Sequence, residues 1–238
     1  MQSLLESHEV STDSRALTAR GDTVDDQKPS RTVAVQLTTD EVVGSAITLF
    51  LAGSDTTSTG LGFLLHCLGK YPDVQQRLRD EIEEALERCG EITYEVAMNL
   101  KYMDRVIQET FRHLPPVTGI ITRRALTNVD ICGTGYPAGL AFYFPPQRIH
   151  KDPKYWDEPS KFDPDRFLKP LKHPLAYQAF GAGPRNCVGM RPALLFLKLS
   201  LCKLIPEFEF KSDEDPKCRG VMIVTHAERI MIAVKHLK

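Results

Sequence analysis

Polar and apolar positions divide this chain into long helical stretches, a cluster of short strands and two irregular segments. Thr38 or Thr39 can cap a helix whose first turn carries Asp40 and Glu41, both favourable at a helix N-terminus. A mostly apolar run from Val42 to Leu68 carries it to about Lys70. Tyr71-Pro72 then breaks it, and Pro72 can open the next helix. Strong helix formers fill Asp73 to Arg88, and Cys89-Gly90 closes that element. Thr93 to Asn99 predicts a short helix and Lys101 to His113 a longer one, stopped by Pro115-Pro116. Between Val117 and Phe144, β-branched residues, glycines and turn signals predict short strands, including Val129 to Ile131 and Ala141 to Phe144. Lys151 to Ala179 is rich in proline, aromatics and charge, an irregular segment that side chains must pin. Val188 to Ile205 predicts a further helix, and Phe208-Glu209-Phe210 and the 221–234 region predict strands. Residues 1–8 have the pattern of a helix end, and Glu9 to Arg31 is polar, aperiodic and expected to be a mobile loop. No internal repeat is present. The pattern predicts one domain, mainly α with small β-sheets (α+β).

Composition changes this picture little. A chain of 238 residues, 42% hydrophobic and 26% charged, is long enough for a sizeable core. The net charge of −1 gives no footprint of nucleic-acid binding, and no nucleic-acid partner is expected. Six scattered cysteines without a CxxC favour reduced thiols facing the cytosol. Met1-Gln2-Ser3-Leu4-Leu5-Glu6 has neither the basic nor the apolar region of a signal peptide. The run 42–68 is long enough to suggest a membrane span. Gly44, Ser45, Thr48, Gly53, Ser54 and Asp55 interrupt it, and it reads as a buried helix.

The chemistry concentrates in Phe180-Gly181-Ala182-Gly183-Pro184-Arg185-Asn186-Cys187-Val188-Gly189. Phe180, Gly183, Arg185, Cys187 and Gly189 fit F-x-x-G-x-R-x-C-x-G, a cysteine held on a glycine-bent loop. A thiolate ligand needs its sulfur near a metal while the backbone bends sharply, which Gly181 and Gly183 permit. Backbone N–H groups turned towards the sulfur would tune the metal. The N-terminal end of the helix that follows would favour the thiolate. The alternative is a buried structural cysteine. Ala52-Gly53-Ser54-Asp55-Thr56-Thr57 lies mid-helix, an odd place for Gly, Asp and two threonines. Thr56 can compete for the carbonyl of Ala52 and bend the helix, making room for a small ligand beside an alcohol and an acid. Close packing through small residues is the alternative there. Glu109 and Arg112 lie three apart on one helix face. Alone such a pair carries no signal, since ordinary composition supplies about one per chain of this size. Phe162-Asp163-Pro164-Asp165-Arg166-Phe167 adds a second arginine, and a Glu109–Arg112–Arg166 network would pin the irregular segment to the core.

These four stretches, in their order along the chain with the cysteine loop last, resemble the C-terminal half of the cytochrome P450 family. Asp73-Val74-Gln75-Gln76 and His150-Lys151-Asp152-Pro153-Lys154-Tyr155-Trp156 look most like its animal microsomal branch, which oxidises drugs and steroids. The resemblance implies a haem-thiolate monooxygenase whose cofactor is haem b (iron protoporphyrin IX). It makes Cys187 the proximal iron ligand and puts Phe180 in the cofactor site. Arg185 and one of Arg123 or Arg124 would face haem propionates, and Asp55 and Thr56 would relay protons for oxygen activation. Phe50 and Ala52, with Val117, Ile120 and Ile121 and with Met222 and Ile223, would line the pocket for a small lipophilic substrate. The implied partners are O2 and an NADPH-cytochrome P450 reductase. The implied location is the cytosolic face of the endoplasmic reticulum, held by an N-terminal anchor absent from this chain.

Family members are about twice as long, so the chain resembles a fragment. Within one partial domain, residues 37–70 would be the long distal helix, 101–113 the E-x-x-R helix, and 180–205 the haem-ligand loop and helix. The expected alternative is a non-catalytic remnant, or a partner-binding pseudoenzyme without haem. Pro192, early in the last helix, is expected to remove a bond to Val188. The segment between Pro116 and Arg123 is one residue longer than in many relatives, which leaves Arg123 and Arg124 both open as the propionate contact. His113 replaces a usual leucine and is expected to pack at a helix end.

Overall fold

The computed structural model describes residues 37–118, 121–221 and 224–237. The expectations for residues 1–36 lie outside this range. The described residues are mainly helical with four two-stranded antiparallel sheets, the α+β class expected from the pattern. By its contacts the chain divides into two units, one ending at Ala52 and the other beginning at Gly53.

The first unit contributes the opening part of helix α1 (Thr39–Lys70). Of the two candidate caps, Thr38 is the one used. Its Oγ1 accepts the Glu41 N–H at 3.3 Å while Glu41 Oε2 accepts the Thr38 N–H at 2.8 Å, so two otherwise orphaned donors are satisfied reciprocally. The hydrogen bonds that the Thr38 N–H and Oγ1 donate to the Glu41 carboxylate hold it below its ordinary pKa. Further on, Thr48 Oγ1 donates to the carbonyl of Gly44 at 2.8 Å.

The second unit holds the rest of α1 with α2 (Pro72–Cys89), α3 (Tyr94–Met98), α4 (Lys101–His113), α5 (Pro146–His150) and α6 (Met190–Leu204). Its strands are β1 (Ile121–Arg124), β2 (Val129–Ile131), β3 (Thr134–Tyr136), β4 (Ala141–Phe144), β5 (Phe208–Lys211), β6 (Lys217–Val221), β7 (Val224–Arg229) and β8 (Ala233–His236). They pair as β1 with β4, β2 with β3, β5 with β8 and β6 with β7. Met103, Val106, Ile107 and Phe111 recur at helical spacing along α4 and are buried. They meet Leu64 and Leu68 of α1, Leu78 and Ile82 of α2, and Leu197 and Leu201 of α6 in one cluster. Each such side chain contributes roughly 1.5–3 kcal/mol on leaving water.

The helix ends explain the packing. Pro72 sits in the first turn of α2, and Gly90 closes it at φ 78°, donating to the carbonyl of Leu86. The Glu81 carboxylate of α2 caps α4 from outside, accepting the N–H of Tyr102 at 2.7 Å and of Met103 at 2.8 Å. Helix α6 begins at Met190 rather than Val188, which corrects the expectation for Pro192. Its first intrahelical bond runs from the Ala193 N–H to the Gly189 carbonyl at 3.0 Å. Position 192 is therefore among the first-turn donors that have no partner within a helix, and proline there removes no bond.

Candidate functional site

The chain from Gln178 to Gly189 forms a tight loop ahead of α6. The Gly181 N–H donates to the Gln178 carbonyl at 3.0 Å, and the Cys187 N–H donates to the Phe180 carbonyl at 2.8 Å, closing the loop on itself. Gly181 and Gly183 sit at φ 75° and 76°, a left-handed region that other residues enter only under strain. The loop is anchored by the Phe180 ring, which meets Phe111 of α4 edge-on with centroids 5.9 Å apart. At its far end Cys187 is exposed, beside a Val188 that is 86% exposed. Arg185 is exposed in a short 3-10 turn, Gly183–Arg185.

Cys89, Cys132 and Cys218 are exposed as well, whereas Cys67 and Cys202 are buried. Burial pushes the Cys67 thiol up to about 12 and the Cys202 thiol up to about 11, so both remain protonated. Among the described residues, no group of three or more His, Cys, Asp or Glu side chains could hold a bare metal ion. A bare ion would need three or four protein ligands. A single accessible sulfur on a glycine-shaped loop suits instead a metal that brings its own equatorial ligands. The Cys187 loop fits a haem on that ground.

Glu109 and Arg112 of α4 have no solvent exposure. Arg112 Nε and Nη2 donate to the two Glu109 oxygens at 2.7 and 2.9 Å. Arg166 Nε and the Asp163 N–H add further donors to Oε1 at 2.9 and 2.8 Å. The remaining guanidinium hydrogens hold the irregular segment by its carbonyls. Arg112 reaches those of His150, Pro159 and Lys161, and Arg166 those of Asp157 and Lys161. Arg112 also lies 5.3 Å from the Trp156 ring. The structure thus brings the three predicted network residues together.

It adds one that sequence reasoning missed. Asp165 takes a two-point contact from Arg77 of α2 and a 2.7 Å contact from Arg105 of α4. Both cations lie over the Tyr102 ring, at 4.3 and 5.0 Å. The hydrogen bond from Arg77 holds the Asp165 carboxyl below its ordinary pKa. An acid beside Arg166 in the P-D-R-F stretch was the available signal.

The remaining predicted residues are dispersed. Arg123 and Arg124 are both exposed on β1, opposite Phe142 and Ala141 respectively. As successive strand residues they point to opposite faces, so only one can serve a given side. Arg123 Nη1 donates to the Thr122 carbonyl at 2.9 Å. Asp55 and Thr56 are half-buried on α1, and a Cβ at Gly53 would meet nothing within 4 Å. Phe50 and Ala52 belong to the first unit, where both are exposed. Val117 and Ile121 are half-buried. The segment before β1 is held by Thr225, whose N–H donates to the Pro116 carbonyl at 2.8 Å and whose Oγ1 meets Thr118 Oγ1 at 2.8 Å. Ile120, Met222 and Ile223 lie outside the described residues.

Comparison with known proteins gives the loop its context. The sequence profile of the family "Cytochrome P450" matches residues 2–234. Cytochrome P450 3A6 of Oryctolagus cuniculus is 44% identical over 174 residues, 72% of this chain and 34% of that protein. Cytochrome P450 3A17 of Cavia porcellus is 42% identical over 198 residues, 81% of this chain and 39% of that protein. Cytochrome P450 3A13 of Mus musculus is 42% identical over 171 residues, covering 71% and 34%. The chain therefore spans little more than a third of the length of these curated relatives. A cysteine loop of this geometry, followed by its helix and preceded by a buried Glu–Arg–Arg clamp, agrees with that match along nearly the whole sequence, and the chain belongs to the cytochrome P450 family.

Proposed function

We propose that this chain carries the cysteine-loop portion of a haem-thiolate monooxygenase, which inserts one oxygen atom of O2 into a small lipophilic substrate. The observation that carries the reading is the exposed Cys187 on a loop bent at Gly181 and Gly183. When bound there, haem would supply the oxygen chemistry, with electron donation from a thiolate ligand favouring cleavage of the O–O bond. Cys187 Sγ would be the iron ligand, presented at the end of the loop that leads into α6. Arg185, with either Arg123 or Arg124, would neutralise the propionates. Asp55 would hold a proton at its carboxylate and Thr56 at its Oγ1, next to the opening at Gly53. Val117 and Ile121 would present apolar surface to the substrate and exclude water. Glu109, Arg112 and Arg166 would act at a distance, fixing the segment that leads into the loop.

The electrons would come from an NADPH-dependent flavoprotein reductase. The location would be the endoplasmic reticulum, as the microsomal likeness implies. No helix among the described residues is long and apolar enough to cross a membrane.

The test is the carbon monoxide difference spectrum of the purified chain, reduced with dithionite after haem is added. The expected result is a strongly red-shifted Soret band that Cys187→Ala abolishes. A chain that takes up no haem, or gives only the band of a neutral ligand, would favour the second reading, a partner-binding remnant that holds no haem.

A further inference from the structure

His150 ends α5 fully buried, between the Glu109 network and the cysteine loop. Its main-chain carbonyl accepts from Arg112 Nη1 at 2.8 Å. Its ring Nε2 lies 2.9 Å from the backbone nitrogen of Gln178. A backbone N–H only donates, so Nε2 carries the lone pair and the proton of the neutral ring sits on Nδ1. That Nδ1 is buried and finds no hydrogen-bond partner among the described residues. The ring stacks on Tyr177 at 5.4 Å and 15°, one residue before Gln178. Burial, with Arg112 nearby, pushes the His150 pKa down to about 4, which keeps the ring in its accepting form.

An apolar side chain here would leave the Gln178 N–H without its acceptor, whereas the imidazole accepts it and leaves only its own Nδ1–H unpaired, so the ring does more than pack. From Gln178 the hydrogen bonds continue into the loop. The Gln178 carbonyl accepts the Gly181 N–H, and the Phe180 carbonyl accepts the Cys187 N–H. One residue thus touches the buried ion network through its backbone and the cysteine loop through its ring.

We propose that His150 is a positioning residue for Cys187: its ring fixes Gln178, and through it the turn at Gly181 from which the cysteine loop departs. The network and the loop then hold one geometry together. This inference rests on Cys187 being a thiolate ligand, yet its first readout needs no haem.

The experiment is amide hydrogen exchange on the full chain without haem, comparing Gln178, Gly181 and Cys187 with Val106 and Ile107 in the α4 core. In His150→Leu the three loop amides should exchange about tenfold faster, as loss of one buried hydrogen bond implies, while the core amides stay unchanged. His150→Gln, whose Oε1 can accept the same N–H, should restore protection. Unchanged loop amides, or equal acceleration in loop and core, would overturn the proposal. If His150→Leu does not fold, nitrogen chemical shifts of the unaltered chain decide the matter. An Nδ1–H tautomer with an accepting Nε2 is expected, and an Nε2–H tautomer overturns it. With haem added, His150→Leu should lose part of the thiolate Soret band to a neutral-ligand band, and His150→Gln should recover it. Absence of that band in the unaltered chain would sink the haem reading alone and leave exchange to judge the coupling.

Discussion

Glu109 is a carboxylate with no exposure to water, and it is tolerated there because four donors surround its two oxygens. Replacing a whole buried ion network by apolar side chains is often close to neutral, whereas removing one partner strands the other charge. In Glu109→Gln the shape survives and the charge goes, leaving Arg112 buried without a counter-ion. Stability should fall by about 3–5 kcal/mol. Urea unfolding checks it. A loss under about 1 kcal/mol, the range of exposed ion pairs, would mean that the arginines do not depend on Glu109 to hold the carbonyls of Pro159 and Lys161.

Elements in this chain meet at glycines, and the two ends of α1 show opposite consequences. A Cβ at Gly69 would stand 2.9 Å from the Lys211 carbonyl carbon and the Ser212 nitrogen, which are backbone atoms that cannot swing away. A Cβ at Gly44 would meet nothing within 4 Å. Alanine gains up to about 1 kcal/mol over glycine in a helix, while overpacking a tight contact costs about 1–3 kcal/mol. Gly44→Ala should therefore raise the melting temperature and Gly69→Ala lower it. A rise for Gly69→Ala as well would disprove the close approach of α1 to the end of β5. The same contrast explains what the sequence could reveal. Pro72, Gly90 and the apolar spacing of α4 act locally, so their elements were legible, as was a cysteine loop whose glycines had to bend. The start of α6 was misplaced by two residues because Val188 continues an apolar run without joining the helix. Glu81 capping α4, Asp165 bridging Arg77 and Arg105, and His150 holding Gln178 all join residues more than twenty positions apart. Such contacts leave no periodic trace.

Over the whole molecule, protonation binds these parts to one variable. Burial lowers the pKa of His66, and it pushes His113 and His150 down to about 4. The unfolded chain would protonate each near its ordinary value of about 6.5. Between the two values the unfolded state holds more protons, so stability rises with pH through this window and is lost as pH falls. The slope is at most about 1.4 kcal/mol per pH unit for each histidine, and less for the half-exposed His113, where solvent screens the effect. The salt-bridged carboxyls act in the same direction, at lower pH. Asp165 is held down by Arg77 and Asp215 by Lys70, so each stabilises the fold above its ordinary pKa and ceases to do so as acid protonates it. Acid should therefore weaken the chain in two stages, histidines first and carboxyls second. Urea midpoints measured from neutrality down to about pH 4 would follow the first stage. Replacing His113 with the apolar Leu should flatten the slope in that window while leaving the carboxylate stage in place. A slope identical to that of the unaltered chain would mean that His113 takes up its proton in the folded state as readily as in the unfolded one, and that its burial does not set the acid limit of the fold.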